Sequence, residues 1–114
     1  MKTLSGAIAV AQGHDVLFEH FQDGGDMWTG TGSRELRKPV VFREAFRENP
    51  VVHCSLTLWD VDSATNLRAD IEADNITPTG FDLVFRTWGD TRIARLRVSW
   101  MAIGGMCSED SWEL

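Results

Sequence analysis

With 114 residues, 43% of them hydrophobic and 25% charged, the chain is one globular domain with enough residues for a single modest core; that balance excludes intrinsic disorder. Seventeen acidic residues outweigh eleven Lys and Arg, for a net charge of −6. Nucleic acid is therefore not an expected partner, since phosphate contacts need a basic face. No run approaches the ~18 apolar residues of a membrane span, so membrane insertion is not expected.

Residues 1–13 superficially mimic a short signal peptide, but the apolar stretch over residues 7–11 falls short of the ~7–15 residues that an export signal needs. The expectation is cytoplasmic synthesis without a signal peptide. Any action outside the cell, or on a particle, would then need another route, such as lysis or particle assembly. The same stretch reads better as a first strand over residues 7–12, followed by a turn at Gly13-His14 and a second strand over residues 16–21.

Gln22-Asp23-Gly24-Gly25-Asp26 is a strong loop signal. Residues 27–33 hold Trp28, Thr29, Thr31 and Ser33 among small residues. A strand is predicted over residues 35–42, with Pro39 marking an edge strand or a bulge. Residues 43–47 read as a loop rather than one helical turn, and Asn49-Pro50 breaks the chain.

A central strand over residues 51–59 puts Val52, Cys54, Leu56 and Leu58 on one face. After a turn over residues 60–65, residues 66–74 alternate without a break. Leu67, Ala69, Ile71 and Ala73 point one way, and Asn66, Arg68, Asp70, Glu72 and Asp74 the other, which is the period of a half-buried strand. Strands over residues 80–88 and 91–103 follow, separated by a turn at Gly89-Asp90. Ala94, Leu96, Val98, Trp100 and Ala102 share a phase in the last of them. No helix is convincing. The expected fold is all-β, a six- to seven-stranded antiparallel sandwich in a single domain. The acidic tail, residues 108–114, is expected to fray, with Trp112 available to pack on a neighbour.

Two cysteines build no disulfide framework. Cys54 reads as a small buried hydrophobe, and a bridge to Cys107 remains an alternative. His14, His20 and His53 are scattered without metal-ligand spacing, so neither metal nor cofactor is expected. Glycoside hydrolysis would need two carboxylates across a cleft. No motif marks such a pair, nor a nucleophile triad or a phosphate loop, and the chain is not read as an enzyme.

Arg34-Glu35-Leu36, Pro50-Val51-Val52, Leu58-Trp59-Asp60-Val61, Asn66-Leu67-Arg68, Thr77-Pro78-Thr79-Gly80-Phe81, Thr87-Trp88 and Val98-Ser99-Trp100 occur in this order over residues 32–103. In order and spacing they resemble the H-type lectin family, known from snail agglutinins and the C-terminal domain of discoidins. The resemblance implies a six-stranded sandwich that forms trimers, or multiples of trimers. It also implies binding of galactose or N-acetylgalactosamine-type glycans near protomer seams, with bacterial polysaccharides as related ligands. At family level, the sugar site maps to Arg68, Trp88 and Gly89, with a polar loop from a neighbouring protomer at residues 29–33. Two departures stand out: Gly89 replaces a histidine of the snail members and Ala94 a tyrosine. A shallower pocket is expected, one that prefers an oligosaccharide over a free monosaccharide.

The residues themselves support the same chemistry. A sugar presents a faintly apolar ring face and a fan of hydroxyls. Trp88 supplies a platform and Arg68 a planar set of donors that stays charged. Asp90, Thr29, Thr31 and Ser33 supply acceptors and hydroxyls. Trp100 is expected in the core, and Trp28 either as a core plug or as a site aromatic. Trp59 is a candidate for an inter-protomer seam, and Arg95 and Arg97 for ion pairs between protomers. Set against the lectin reading is an adhesive or structural component of a phage-like particle or cell-surface assembly.

Overall fold

The structure is a computed structural model that describes residues 1–107, so the tail with Trp112 lies outside the described residues. There are six strands, with two helical turns between the first and the second: β1 (Ile8–Phe18), α1 (His20–Asp23), α2 (Asp26–Thr29), β2 (Arg34–Val41), β3 (Val51–Val61), β4 (Asp70–Thr77), β5 (Gly80–Thr87) and β6 (Ile93–Gly105). They form two three-stranded antiparallel sheets, ordered β1-β6-β3 and β2-β5-β4. The all-β antiparallel expectation holds, with six strands.

The period-two residues of β5 and β6 carry the core. Phe81, Leu83 and Phe85 from one sheet face Leu96, Val98 and Ala102 from the other, with Phe18, Met27, Phe42, Phe46 and Ile93 closing the ends. Each large side chain buried here contributes about 1.5–3 kcal/mol of transfer free energy. Trp100 packs among them, its ring 5.4 Å from Phe81 and 5.9 Å from Phe42. Cys54 packs against the same core, and burial pushes its thiol pKa up. Both cysteines are free, so the bridge to Cys107 is not formed. Pro39 lies on β2, an edge strand, where its missing N–H costs no ladder bond.

Three expectations are corrected. Residues 7–21 are not two strands with a turn at Gly13; β1 runs unbroken through it. Gly13 is paired with Trp100, and a Cβ there would come 2.8 Å from the indole ring. The glycine makes room for a ring and turns nothing. Second, the sequence between β1 and β2 contains two single helical turns, each four residues long, too short to leave a periodic signature. Third, the alternation over residues 66–74 is only partly a strand. β4 begins at Asp70 and continues through a bulge at Asn75 to Thr77. Leu67 is exposed, whereas Ala69, Ile71 and Ala73 pack inward. Residues 66–69 are held by threonine hydroxyls. Thr91 accepts the Arg68 N–H (3.1 Å) and donates to the Asn66 carbonyl, and Thr87 donates to the Arg68 carbonyl at 2.5 Å. Within the chain, Arg95 lies 3.4 Å from Asp60 and Arg97 donates to the Thr57 hydroxyl at 3.2 Å.

Candidate functional site

The β5–β6 turn and the segment leading into β4 come together at one end of the β2-β5-β4 sheet. Trp88, just beyond β5, leaves 44% of its surface exposed. It follows Arg86 on the outward phase, while Thr87 points inward and is buried. Gly89 then takes φ +70°, a conformation that strains residues with a Cβ. A Cβ at this position would also lie 3.1 Å from Arg68 Nη1. The bare glycine thus lets the Arg68 guanidinium lie against the turn. A histidine here would have to adopt the strained backbone and displace Arg68.

Arg68 Nη1 donates to Asp90 Oδ1 at 2.5 Å, and the Asn66 N–H reaches Asp90 Oδ2 at 3.4 Å. The Arg68 bond holds the Asp90 carboxyl below the usual carboxylate range. Fixing the guanidinium in this way orients its remaining N–H groups before any ligand arrives, which lowers the ordering cost of binding.

The loop after α2 docks on the same turn, from within the same chain. Gly32 N–H donates to the Gly89 carbonyl at 2.9 Å. The organising residue is Arg34, which was not among the expected site residues. The residue is 9% exposed, and its guanidinium donates to the carbonyls of Gly32 (3.0 Å), Asp26 (3.2 Å), Met27 (3.3 Å) and Gly89 (3.4 Å). Burial pulls its pKa down, partly offset by the Asp26 charge, but a guanidinium stays protonated at neutral pH. The signal was present: Arg34 shares the inward phase of Leu36 and Val40 on β2.

The expected site residues are not all equivalent. Arg68, Gly89 and Asp90 meet directly. Trp88 and Ser33 line one depression of about 550 Å³ together with Glu35, Ala69, Asp70 and Arg86, within the ~300–1,000 Å³ range of small-ligand sites. Thr31 is exposed on the docked loop. Thr29 is exposed, with its hydroxyl within hydrogen-bond distance of the Gly24 (3.2 Å) and Gly25 (3.0 Å) carbonyls at the base of α2. Ala94 lines a different hollow, with Phe21 and Arg95. Within one chain, its lost side chain does not open the Trp88 depression. Trp28 is an anchor for α2: its ring packs edge-on against Phe21 and lies 4.4 Å under the Arg92 guanidinium.

Arg86 crosses the floor of the depression. It donates to Glu35 (2.9 Å), Asp70 (3.5 Å) and Glu72, and the Glu72 bond is the main reason its pKa is raised. Among the described residues, no group of three His, Cys, Asp or Glu side chains is arranged to hold a metal ion.

Two three-stranded antiparallel sheets packed face to face, with an exposed tryptophan and a fixed arginine at one sheet end, make this a small all-β sandwich domain. Residues 37–103 match the family model of the H-type lectin domain, and the chain belongs to that family. It is 52% identical over its whole length to "ATP synthase subunits region ORF 7" of Fuscovulum blasticum, covering 99% of that protein, whose name states no activity. It is 39% identical over 75 residues to a discoidin-1 chain of Dictyostelium discoideum, covering 65% of this chain and 30% of the discoidin. The solved structure of discoidin II from the same organism superposes with a TM-score of 0.76 at 28% identity, over 91% of this chain and 39% of the discoidin. A tailspike protein of a Pseudomonas phage, at 15% identity and a TM-score of 0.53, shares the fold alone.

Proposed function

We propose that the domain is a lectin that binds terminal galactose or N-acetylgalactosamine-type residues at Arg68, Trp88 and Asp90. The observation that carries this reading is the Arg68–Asp90 pair, fixed against Gly89 beside the exposed Trp88 in an H-type lectin domain. Trp88 offers an apolar platform for a sugar face, and the N–H groups of Arg68 not spent on Asp90 meet hydroxyls. Thr31 and Ser33 stand on the adjoining loop with exposed hydroxyls. Single-site affinity should be weak, because an open polar site loses much of its gain to desolvation and ordering. A glycan array at high display density is expected to give signal on galactose-type termini. No signal above background on any glycan would remove the lectin reading in favour of an adhesive or structural component of a larger assembly.

Self-association is the second part of the proposal, as a homotrimer or a multiple of one. The outer face of the β1-β6-β3 sheet exposes Ile8, Val10, Val51 and Met101 toward one end, an apolar patch of the kind that marks interaction surfaces. Closed cyclic symmetry would turn several weak sites into one avid array. Light scattering is expected to return a mass near three chains at micromolar concentration, and a stable monomer would sink this part.

A further inference from the structure

We infer that His20 is a positioning residue of the glycan site: its unprotonated imidazole caps α2, keeps the segment from α2 to Arg34 seated on Gly89, and lets the site loosen when the ring takes up a proton. The inference rests on the lectin reading and deepens it. α2 is a single turn, and its N-cap is Gly25, which has no side chain to accept the first free N–H groups of the turn. His20, on the preceding turn, supplies that acceptor. The Met27 N–H donates to His20 Nδ1 at 3.1 Å, the bond that an Asp or Ser at the cap would otherwise make. The fit is close. The ring centroid lies 4.7 Å from that of Phe18, and a Cβ on Gly25 would fall 2.4 Å from the imidazole.

From α2 the contact runs to the site. The Asp26 and Met27 carbonyls accept two of the four bonds of Arg34, whose other two go to Gly32 and Gly89. The Gly89 turn in turn lies against the Arg68 guanidinium. An Nδ1 that accepts an N–H is the unprotonated nitrogen, so the ring proton sits on Nε2 and a second proton has to enter at Nδ1 itself. The imidazolium then turns a donor toward a donor, and the cap is lost. The charged groups of the elements around the ring are Glu19 and Asp23 beside it in the chain, Asp26 on α2, Arg34 and Arg92, which bond to α2 carbonyls, Asp15 on β1, and Arg95 on β6, against which α1 packs. Asp15, Arg92 and Arg95 pair with Lys38, Asp62 and Asp60. Among the described residues no carboxylate forms an ion pair with His20 that would hold the charged ring where the neutral one sits.

The test uses the full chain, calorimetry with a trisaccharide ending in N-acetylgalactosamine, and amide NMR spectra. Both are recorded at about pH 7.5 and about pH 5, the span in which an ordinary histidine changes charge. Asp90 stays ionised across that span, because the Arg68 bond holds its carboxyl below the usual carboxylate range. Affinity is expected to fall about five- to tenfold at the lower pH, the scale of a lost helix cap. The Met27, Gly32 and Gly89 amide signals should shift together while those of β5 do not. His20→Asn places an amide oxygen where Nδ1 lies and does not titrate. It should bind within about twofold of the unaltered chain at the higher pH, since Asn is a good cap, and should keep that affinity at the lower. His20→Leu, with no acceptor, should bind weakly at both. His14 and His53 line a hollow on the β1-β6-β3 sheet and remain in every variant, so their titration would lower all chains alike. If the unaltered chain binds equally at both pH values, or His20→Asn loses affinity on acidification as that chain does, the role of His20 is overturned and the lectin reading stands. If no chain binds the trisaccharide at either pH, both fall.

Discussion

Arg34→Ala is expected to lower the stability of the fold by about 3 kcal/mol and to weaken glycan binding at the same time. Hydrogen bonds from a charged donor are worth about 1.5–3 kcal/mol each and are not additive. Arg34 makes four, to Asp26, Met27, Gly32 and Gly89. Of these carbonyls, that of Asp26 also accepts the Gly30 N–H, and that of Gly89 the Gly32 N–H. Truncation strips the clamp from the other two and leaves a void under the loop. Urea denaturation should shift by about 1–2 M at an m-value of ~2 kcal/mol/M. Arg34→Lys should recover only a minor part, because an ammonium on a flexible stem cannot span acceptors laid out for a planar fork. The effect on binding follows because Gly32 and Gly89 would no longer be held together beside Arg68. A stability loss below about 1 kcal/mol would mean that water replaces the guanidinium and that Arg34 does not organise the site.

Arg68→Ala and Trp88→Ala are expected to act in the opposite sense, with large losses of binding and little loss of stability. Removing the Arg68 donors should cost on the order of 1.5–3 kcal/mol of binding, roughly ten- to a hundredfold in affinity. Trp88→Ala should be of similar size, with Trp88→Phe intermediate because a smaller aromatic face remains. Trp88 is exposed outside the packed layers, so its truncation should change folding stability by less than about 1 kcal/mol. Frontal affinity chromatography paired with thermal melts separates the two effects. If Trp88→Ala melts the protein, the indole belongs to the packing and the site is misplaced.

The architecture was legible in the sequence wherever two-residue periodicity had a partner strand to satisfy it. The inward sets of β5 and β6 read directly as a core because each residue faces the opposite sheet. The same signal misled over residues 66–69, which alternate but have no ladder partner, so Thr87 and Thr91 hold the backbone. Gly13 shows a second limit. A glycine that turns the chain and one that clears space for a ring are the same letter, and only the Trp100 ring opposite tells them apart. Arg68, Trp88 and Asp90 could be picked out as site residues from their chemistry and from the family resemblance. That Arg34 would meet the carbonyls of Asp26, Met27, Gly32 and Gly89, that Gly32 would dock on Gly89, that the Thr29 hydroxyl would turn back to the α2 backbone and that Ala94 would line another hollow could not. These depend on contacts between residues far apart in the chain. Local periodicity determines which way a side chain points, but only the closing of two sheets determines what it meets.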